Sequence, residues 1–219
     1  MTRSKPSSRP RPQWRRRPDA RPEEILSAAL EVFGEQGFAR TRCEDVARRA
    51  GISKGTLYLY FESKDALFRE MVRAKAEATL SAVEEMVRTW DGTTARLLAE
   101  FIARYWEIVN QPKNVRLARL VISELANFPE LARFYYQTVI LRLRRTIETI
   151  LQRGIAAGEF RKVEAPFAAR ALQSLCVQLA QFRNCWQQYD TAPLSAEKML
   201  SGLTDLYLNG LLERPAPQA

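Results

Sequence analysis

Apolar residues recur at helical spacing along almost the whole chain from Pro22 onward, and this spacing limits what the chain can fold into. In the first segment, Leu26, Ala29, Leu30 and Phe33 lie three or four positions apart. Later segments repeat the pattern, with almost no alternation of the strand type. The sequence therefore predicts an all-α protein.

Caps, glycines and prolines bound the predicted helices. Pro22 suits a first helical turn, and Gly37 ends that helix. Thr41 with Glu44 predicts a capping box for the second helix, and Gly51 fits the left-handed position that ends it. The predicted helices after the first cover residues 42–50, 54–60, a segment beginning after Ser63, and the segments around 98–109, 117–128, 130–157, 166–188 and 195–212.

The positive charge of the chain is concentrated near its N-terminus. The net charge is +9, and residues 1–75 hold 17 Lys and Arg against 10 Asp and Glu. Residues 1–20 are rich in Pro, Ser and Arg, a composition that predicts a disordered basic arm. A polyanionic partner is expected at this end of the molecule, either nucleic acid or an anionic membrane surface. DNA is favoured because the arm has no amphipathic helix and Trp14 is its one apolar anchor.

The residue types argue against an enzyme. The chain has no histidine, which removes His-dependent triads and His-containing zinc sites. No nucleophile and base pair, glycine-rich phosphate loop or metal-ligand cluster can be assembled, so neither a cofactor nor a metal is predicted. Its three cysteines do not have the layout of a disulfide framework. With no apolar run long enough for a membrane span and no signal peptide, a cytoplasmic protein is expected.

The segment from Thr41 to Leu67 carries the functional signal. Two short helices joined through Ala50-Gly51-Ile52 describe a helix-turn-helix, whose second helix can lie in the major groove of DNA. Several residues of this segment suit contact with bases or phosphates, namely Ser53, Lys54, Gly55, Thr56, Tyr58 and, at the start of the next helix, Lys64.

Residues 22–72 closely resemble the TetR family of bacterial regulators, because the segment reads as a capping Thr, an Ala-Gly turn and then Ser-Lys-Gly-Thr-Leu-Tyr-x-Tyr-Phe-x-Ser-Lys. The resemblance implies that Thr41 and Arg42 contact backbone phosphates. It also implies a groove-facing set of Lys54, Gly55, Thr56 and Tyr58, with flanking phosphate contacts from Tyr60 and Lys64. Position 60 is often His in the family, so Tyr60 departs from the pattern.

The resemblance also implies a two-fold dimer built from the last two long helices, near residues 166–188 and 195–212. The sequence agrees, since helix 166–188 has apolar residues on more than one face. Family members commonly hold an effector pocket in the body. The residues that are candidates for lining it, for a small apolar or aromatic effector, are Phe101, Arg104, Tyr105, Trp106, Glu124, Phe128, Phe134, Tyr135, Cys176, Leu179 and Phe182.

The sequence thus predicts three parts: the arm over residues 1–20, a three-helix DNA-binding domain over 21–70, and a helical effector-binding and dimerisation domain over 71–213. The leading hypothesis is a repressor that binds a palindromic operator as a homodimer and is released by a small molecule. The alternative is an architectural or protein-interaction factor that binds DNA without an effector. The sequence leaves repressor against activator open.

Overall fold

The fold consists of helices joined by short loops. The structure, a computed structural model, describes residues 22–212. The α-helices in this range are α1 Pro22–Gln36, α2 Cys43–Arg49, α3 Lys54–Tyr60, α4 Lys64–Thr89, α5 Thr94–Asn110, α6 Pro112–Glu124, α7 Pro129–Tyr135, α8 Leu141–Ala156, α9 Ala165–Cys185 and α10 Ala196–Leu211. The all-α prediction is confirmed. The predicted basic arm over residues 1–20 lies outside the described residues.

Local sequence signals predicted the bounds of the N-terminal helices correctly, except for the cap of α2. Gly37 and Gly51 have φ of 82° and 70°, as expected where helices end. The capping box predicted for Thr41 and Glu44 is wrong by one residue, because Arg42 is the N-cap of α2 and its N–H donates to Asp45 Oδ2 at 3.2 Å. The Thr41 hydroxyl is buried instead and donates to the Gly37 carbonyl at 2.6 Å.

The long helix predicted over residues 130–157 is interrupted. It divides into α7 and α8, which are separated by a π-helical turn at Tyr136–Ile140. In this turn the Leu141 N–H donates to the Tyr136 carbonyl, five residues back. A π turn contains one residue more than an α turn, so the face that α8 presents is shifted relative to α7.

The N-terminal head, residues 22–60, shares its core with the body. The rings of Phe33, Phe38 and Phe68 meet at centroid distances of 5.4 to 5.7 Å. Buried leucines of the body, among them Leu117 and Leu120 of α6, belong to the same apolar cluster. The head is therefore seated on α6 as well as joined to the body through the continuous helix α4.

A second apolar cluster fills the body, where α4, α5, α8, α9 and α10 pack together around fully buried residues such as Phe101, Ile147 and Leu172. An ion-pair network reinforces one side of it, since Arg142 of α8 contacts Glu84 at 2.6 Å and Glu77 at 2.9 Å on α4. No helix among residues 22–212 has the length and apolar character needed to cross a bilayer.

The close approach of α8 to the following loop gives a stability prediction. A Cβ atom added at Gly154 would lie 2.1 Å from Cδ2 of the buried Phe160 ring. Gly154→Ala should lower the free energy of unfolding by about 1–3 kcal/mol through overpacking, measured by urea denaturation. The matched control is Gln152→Ala, which also introduces an alanine in the last turns of α8 but at an exposed position, so no loss is expected. Equal stability of the two variants would contradict the close packing.

Candidate functional site

The helix-turn-helix presents α3 on the outside of the head. Leu57 of α3 is fully buried, and it packs with Val46 and Ala47 of α2 in the core of the head. The opposite side of α3 carries exposed residues, namely Lys54, Gly55, Tyr58, Leu59 and Tyr60. One buried leucine thus orients the helix, and its other side chains point to solvent.

The first turn of α3 is held by a cap. The Ser53 Oγ accepts from the Thr56 N–H at 3.0 Å, and the two hydroxyl oxygens are 2.8 Å apart. An N-cap of this kind satisfies an otherwise unpaired backbone donor. Ser53 therefore fixes where α3 begins, and Thr56 is half-buried beside it.

Lys54 bridges the two helices of the motif. Its ammonium forms an ion pair with Glu44 of α2 and lies 5.7 Å from the centroid of the Tyr58 ring. The hydrogen bond from Lys54 lowers the pKa of Glu44 and the same contact raises the pKa of Lys54. Both groups are exposed, so the pair is easily exchanged for a stronger anion such as a phosphate.

Two of the predicted phosphate contacts, Lys64 and Thr41, are engaged within the protein. The ammonium of Lys64 donates to the carbonyls of Phe38, Ala39 and Thr41 at 2.8, 3.3 and 3.2 Å. An ammonium has three N–H donors, so all three are used inside the head. Thr41 is buried with its hydroxyl bonded to Gly37. Lys64 and Thr41 thus hold the loop between α1 and α2, and their phosphate contacts stay a prediction. Arg42, also predicted to contact phosphate, is exposed.

Leu59 is a surface residue that the sequence analysis did not single out. Its side chain is 85% exposed, which is unusual for a leucine and leaves it beside Tyr58 on the outer side of α3. The signal was present in its spacing, since Leu59 lies two positions from the buried Leu57 and so points away from the core. An exposed apolar side chain here can contact the methyl group of a thymine.

The body contains a cavity of about 460 Å³ between α4, α5, α6, α8 and α9. Its walls are mostly aliphatic, with Tyr105 and Tyr135 from the predicted set among them. Burial raises the pKa of Tyr135 to about 12 and also raises that of Tyr105, so both hydroxyls stay neutral at physiological pH. A cavity of this size and composition suits a small organic molecule.

The other residues predicted for the pocket lie elsewhere. Phe101, Trp106 and Cys176 are buried in the body, while Leu179 and Phe182 are half-buried on α9 and do not line the cavity. Arg104 is exposed and contacts Glu100 at 3.0 Å. These positions do not line this cavity, and the sequence could not show it, because an apolar stripe does not reveal which residues fill a core and which border a space within it.

Three further residues predicted for the pocket support the head instead. The Phe128 ring packs on Phe38 with centroids 4.8 Å apart, and Phe134 lies against the head core. Glu124, at the end of α6, accepts from the Ala39 N–H at 3.0 Å through Oε2. A Cβ atom at Gly37 would lie 1.8 Å from Glu124 Oε1, so the carboxylate occupies the space that a glycine leaves open.

Several polar residues of the cavity were missed by the sequence analysis. Lys75 of α4, Arg144 of α8 and Gln173 of α9 all line it. Arg144 lies among three arginines at 142, 144 and 145, and no sequence pattern tells which of them turns inward. Which of these arginines faces the cavity depends on the π turn that precedes α8.

Comparison with known proteins places the chain among bacterial regulators. Residues 25–71 match the family described as bacterial regulatory proteins, tetR family, and residues 96–203 match the AefR-like transcriptional repressor, C-terminal domain. The transcriptional repressor KstR2 of Mycolicibacterium smegmatis is 27% identical over 66% of this chain and 69% of its own length. The fatty acid metabolism regulator protein of Bacillus subtilis is 25% identical over 82% of this chain and 94% of its own length.

Solved structures share the fold. FadR from Bacillus subtilis in complex with stearoyl-CoA has a TM-score of 0.72 at 21% identity, covering 87% of this chain and 99% of that protein. A transcriptional regulator from Saccharomonospora viridis in complex with choline has a TM-score of 0.73 at 20% identity, covering 88% and 98%. The arrangement of a small helical head on a larger helical body is common to all three.

The three hydrogen bonds of Lys64 predict a stability effect. Lys64→Met removes the hydrogen bonds that the ammonium donates to three carbonyls of a partly buried loop. It should lower the free energy of unfolding by about 1–3 kcal/mol. The matched control is Lys54→Met, which removes one exposed ion pair and should change stability by less than about 1 kcal/mol. Urea denaturation measures both. If the two variants are equally stable, Lys64 does not hold the loop.

Proposed function

Because the chain belongs to the TetR family of bacterial transcriptional regulators, we propose that it is a repressor whose homodimer binds a palindromic operator and releases it when a small molecule enters the body. The observation that carries the proposal is the shared use of α4 and α6. Both helices line the cavity through Val72 and Leu117, and both belong to the core that supports the head. A molecule in the cavity therefore touches the elements that position α3.

The surface of α3 supports recognition of duplex DNA. The proposed contacts with bases come from Gly55, Tyr58 and Leu59, and those with phosphates from Arg42, Lys54 and Tyr60. In this proposal the ion pair between Lys54 and Glu44 is replaced by a contact between Lys54 and a DNA phosphate. The exchange is favourable because binding to a phosphate also releases counterions from the DNA. Ser53 acts as the N-cap of α3, and Thr56 donates its backbone N–H to the Ser53 hydroxyl.

Exposed apolar side chains on α9 and α10 support the dimer. Phe167 and Leu206 are 68% and 69% exposed, and both border one open depression between the two helices. Leu175 adds a third exposed apolar residue on α9. Burying such a face against its copy removes apolar area from water and joins two heads at a fixed distance.

The cavity favours an effector-dependent regulator over an architectural factor that binds DNA alone. A space of about 460 Å³ with mostly aliphatic walls has the size and composition of sites that bind small organic molecules. Stearoyl-CoA and choline occur in complexes of structures with the same fold, which supports a ligand-binding body. In the proposed mechanism the ligand selects a conformation whose two heads no longer match the operator spacing.

Selection of duplexes from a random library tests DNA recognition. The full chain should enrich an inverted repeat whose half-sites are about one or more helical turns apart. In fluorescence anisotropy, Tyr58→Ala should weaken binding to the selected duplex more than to a scrambled one, because it removes a base contact. Arg42→Ala should weaken both alike and reduce the salt dependence.

Arg145→Ala is the control for these variants, since Arg145 is exposed on α8 away from the head, and it should bind as the unaltered chain does. An enriched consensus without two-fold symmetry, or no enrichment at all, would refute the proposed mode of binding.

The dimer is tested by placing carboxylates on the α9 and α10 face. Phe167→Asp with Leu206→Asp should shift the protein to monomers in analytical ultracentrifugation, because a buried carboxylate without a partner is strongly unfavourable. Thr149→Asp with Ala78→Asp adds the same charge at exposed positions of other helices and should leave the dimer intact. A double variant on α9 and α10 that remains dimeric would place the interface elsewhere.

A further inference from the structure

The charged residues that line the cavity are both cationic. Among its described lining residues, Lys75 and Arg144 carry charge, and neither an aspartate nor a glutamate joins them. The rest of the wall is mainly aliphatic, with contributions such as Leu80, Val121 and Val139. Positive charge beside an apolar space is unfavourable unless an anion accompanies it.

Arg144 is held in place but left partly unsatisfied. Its Nη1 donates to the Tyr136 hydroxyl at 3.1 Å, and its Nη2 donates to Gln173 Oε1 at 3.3 Å. Its Nε is buried and has no hydrogen-bond partner, and it is the one buried side-chain nitrogen or oxygen in that condition among the described residues. A buried donor without an acceptor on a charged group is unfavourable, so neutralising the Arg144 charge with an anion should be favourable.

Two other arginines of the body, Arg142 and Arg104, are paired with carboxylates, whereas in the described range Arg144 is not. Arg142, two residues away, contacts Glu77 and Glu84, and Arg104 contacts Glu100. No carboxylate in the described range forms an ion pair with Arg144. Neutral oxygens orient its guanidinium without neutralising it, so the full charge remains available to a ligand.

Gln173 and the π turn fix this arrangement. The Gln173 amide nitrogen donates to the carbonyl of Ile140, the last residue of the π turn, at 3.1 Å, while its oxygen accepts from Arg144. The Tyr136 ring, at the start of the turn, lies 5.7 Å from the Arg144 guanidinium carbon. One amide and one tyrosine thus tie the guanidinium to the π turn, and π turns are frequent at functional sites.

Lys75 adds positive charge from α4. Burial lowers its pKa, and the nearby charge of Lys113 lowers it further. Both effects disfavour the ammonium form while the cavity holds no anion. A negatively charged ligand reverses this balance, because it favours protonation of Lys75 as well as binding to Arg144.

We propose that the effector is an apolar carboxylate, whose anionic group binds Arg144 with Lys75 nearby and whose hydrocarbon part fills the space between α4, α6 and α8. The proposal refines the expectation of a small apolar or aromatic effector, and it rests on the proposed role of the cavity in effector binding. The carboxylate supplies the negative charge that the neutral oxygens of Tyr136 and Gln173 do not. The aliphatic wall binds the remainder through burial of apolar surface.

A pair of fluorescent probes isolates the anionic group. Anilinonaphthalene sulfonate and N-phenylnaphthylamine share one aromatic framework, and only the first carries a negative charge. In titrations of the full chain without DNA, Arg144→Gln should weaken binding of the sulfonate about tenfold to a hundredfold, because a charge-assisted hydrogen bond is lost. Binding of the neutral amine should be unchanged.

Arg145→Gln is the matched control, since the same substitution is made one residue along at an exposed position, and it should leave both affinities unchanged. Arg144→Lys keeps the charge and should recover part of the sulfonate affinity, which separates loss of the site from misfolding. Laurate should displace the sulfonate from the unaltered chain at concentrations where dodecanol, of the same chain length, does not.

Three results would overturn the proposal: no saturable sulfonate binding to the unaltered chain, the same sulfonate affinity in Arg144→Gln, or equal displacement by dodecanol and laurate. The outcome is independent of DNA binding. A chain that binds the sulfonate through Arg144 but ignores every duplex would refute the proposed repressor function alone. A chain that binds an operator but shows no preference for the anion would refute only this inference.

Discussion

The loop between α1 and α2 is held by one ammonium and one carboxylate, and it leads directly into α2, the helix against which α3 packs. Lys64 donates to three carbonyls of the loop, and Glu124 accepts from its Ala39 N–H. These groups satisfy backbone atoms that a short irregular loop cannot pair within itself. Lys64 comes from α4 and Glu124 from α6, so the head is attached to the body at two separate points.

The same two helices, α4 and α6, border the cavity, so the cavity and the head share structural elements. Val72 on α4 and Leu117 on α6 line the space and lie in or beside the core of the head. Packed cores shift between discrete arrangements and do not deform continuously. In the proposed mechanism, a ligand that displaces either helix therefore acts on the loop through Lys64 or Glu124. No further element has to connect the cavity with the head, because α4 and α6 both line the cavity and pack in the core of the head.

Local signals predicted local structure well. The first residue of α3 and the cap at Ser53 were correct because an N-cap depends on neighbours within three positions. The capping box of α2 slipped by one residue because Thr41 is buried by tertiary contacts. The cavity was poorly predicted for a similar reason: Glu124 and Arg144 both lie on amphipathic helices, and only long-range packing decides that the first turns to the head and the second to the cavity.

The π turn at Tyr136–Ile140 sets the rotation of α7 relative to α8, and with it the surroundings of the Arg144 guanidinium. Removing one residue there would restore ordinary helical winding and rotate everything before it by about 100° relative to α8. Tyr136 would then leave the Arg144 guanidinium, whereas the contacts of Arg142 with α4 would persist. Because Leu131 and Phe134 of α7 pack in the core that supports the head, single-residue insertions or deletions at this turn would change the surroundings of Arg144 and the support of the head together.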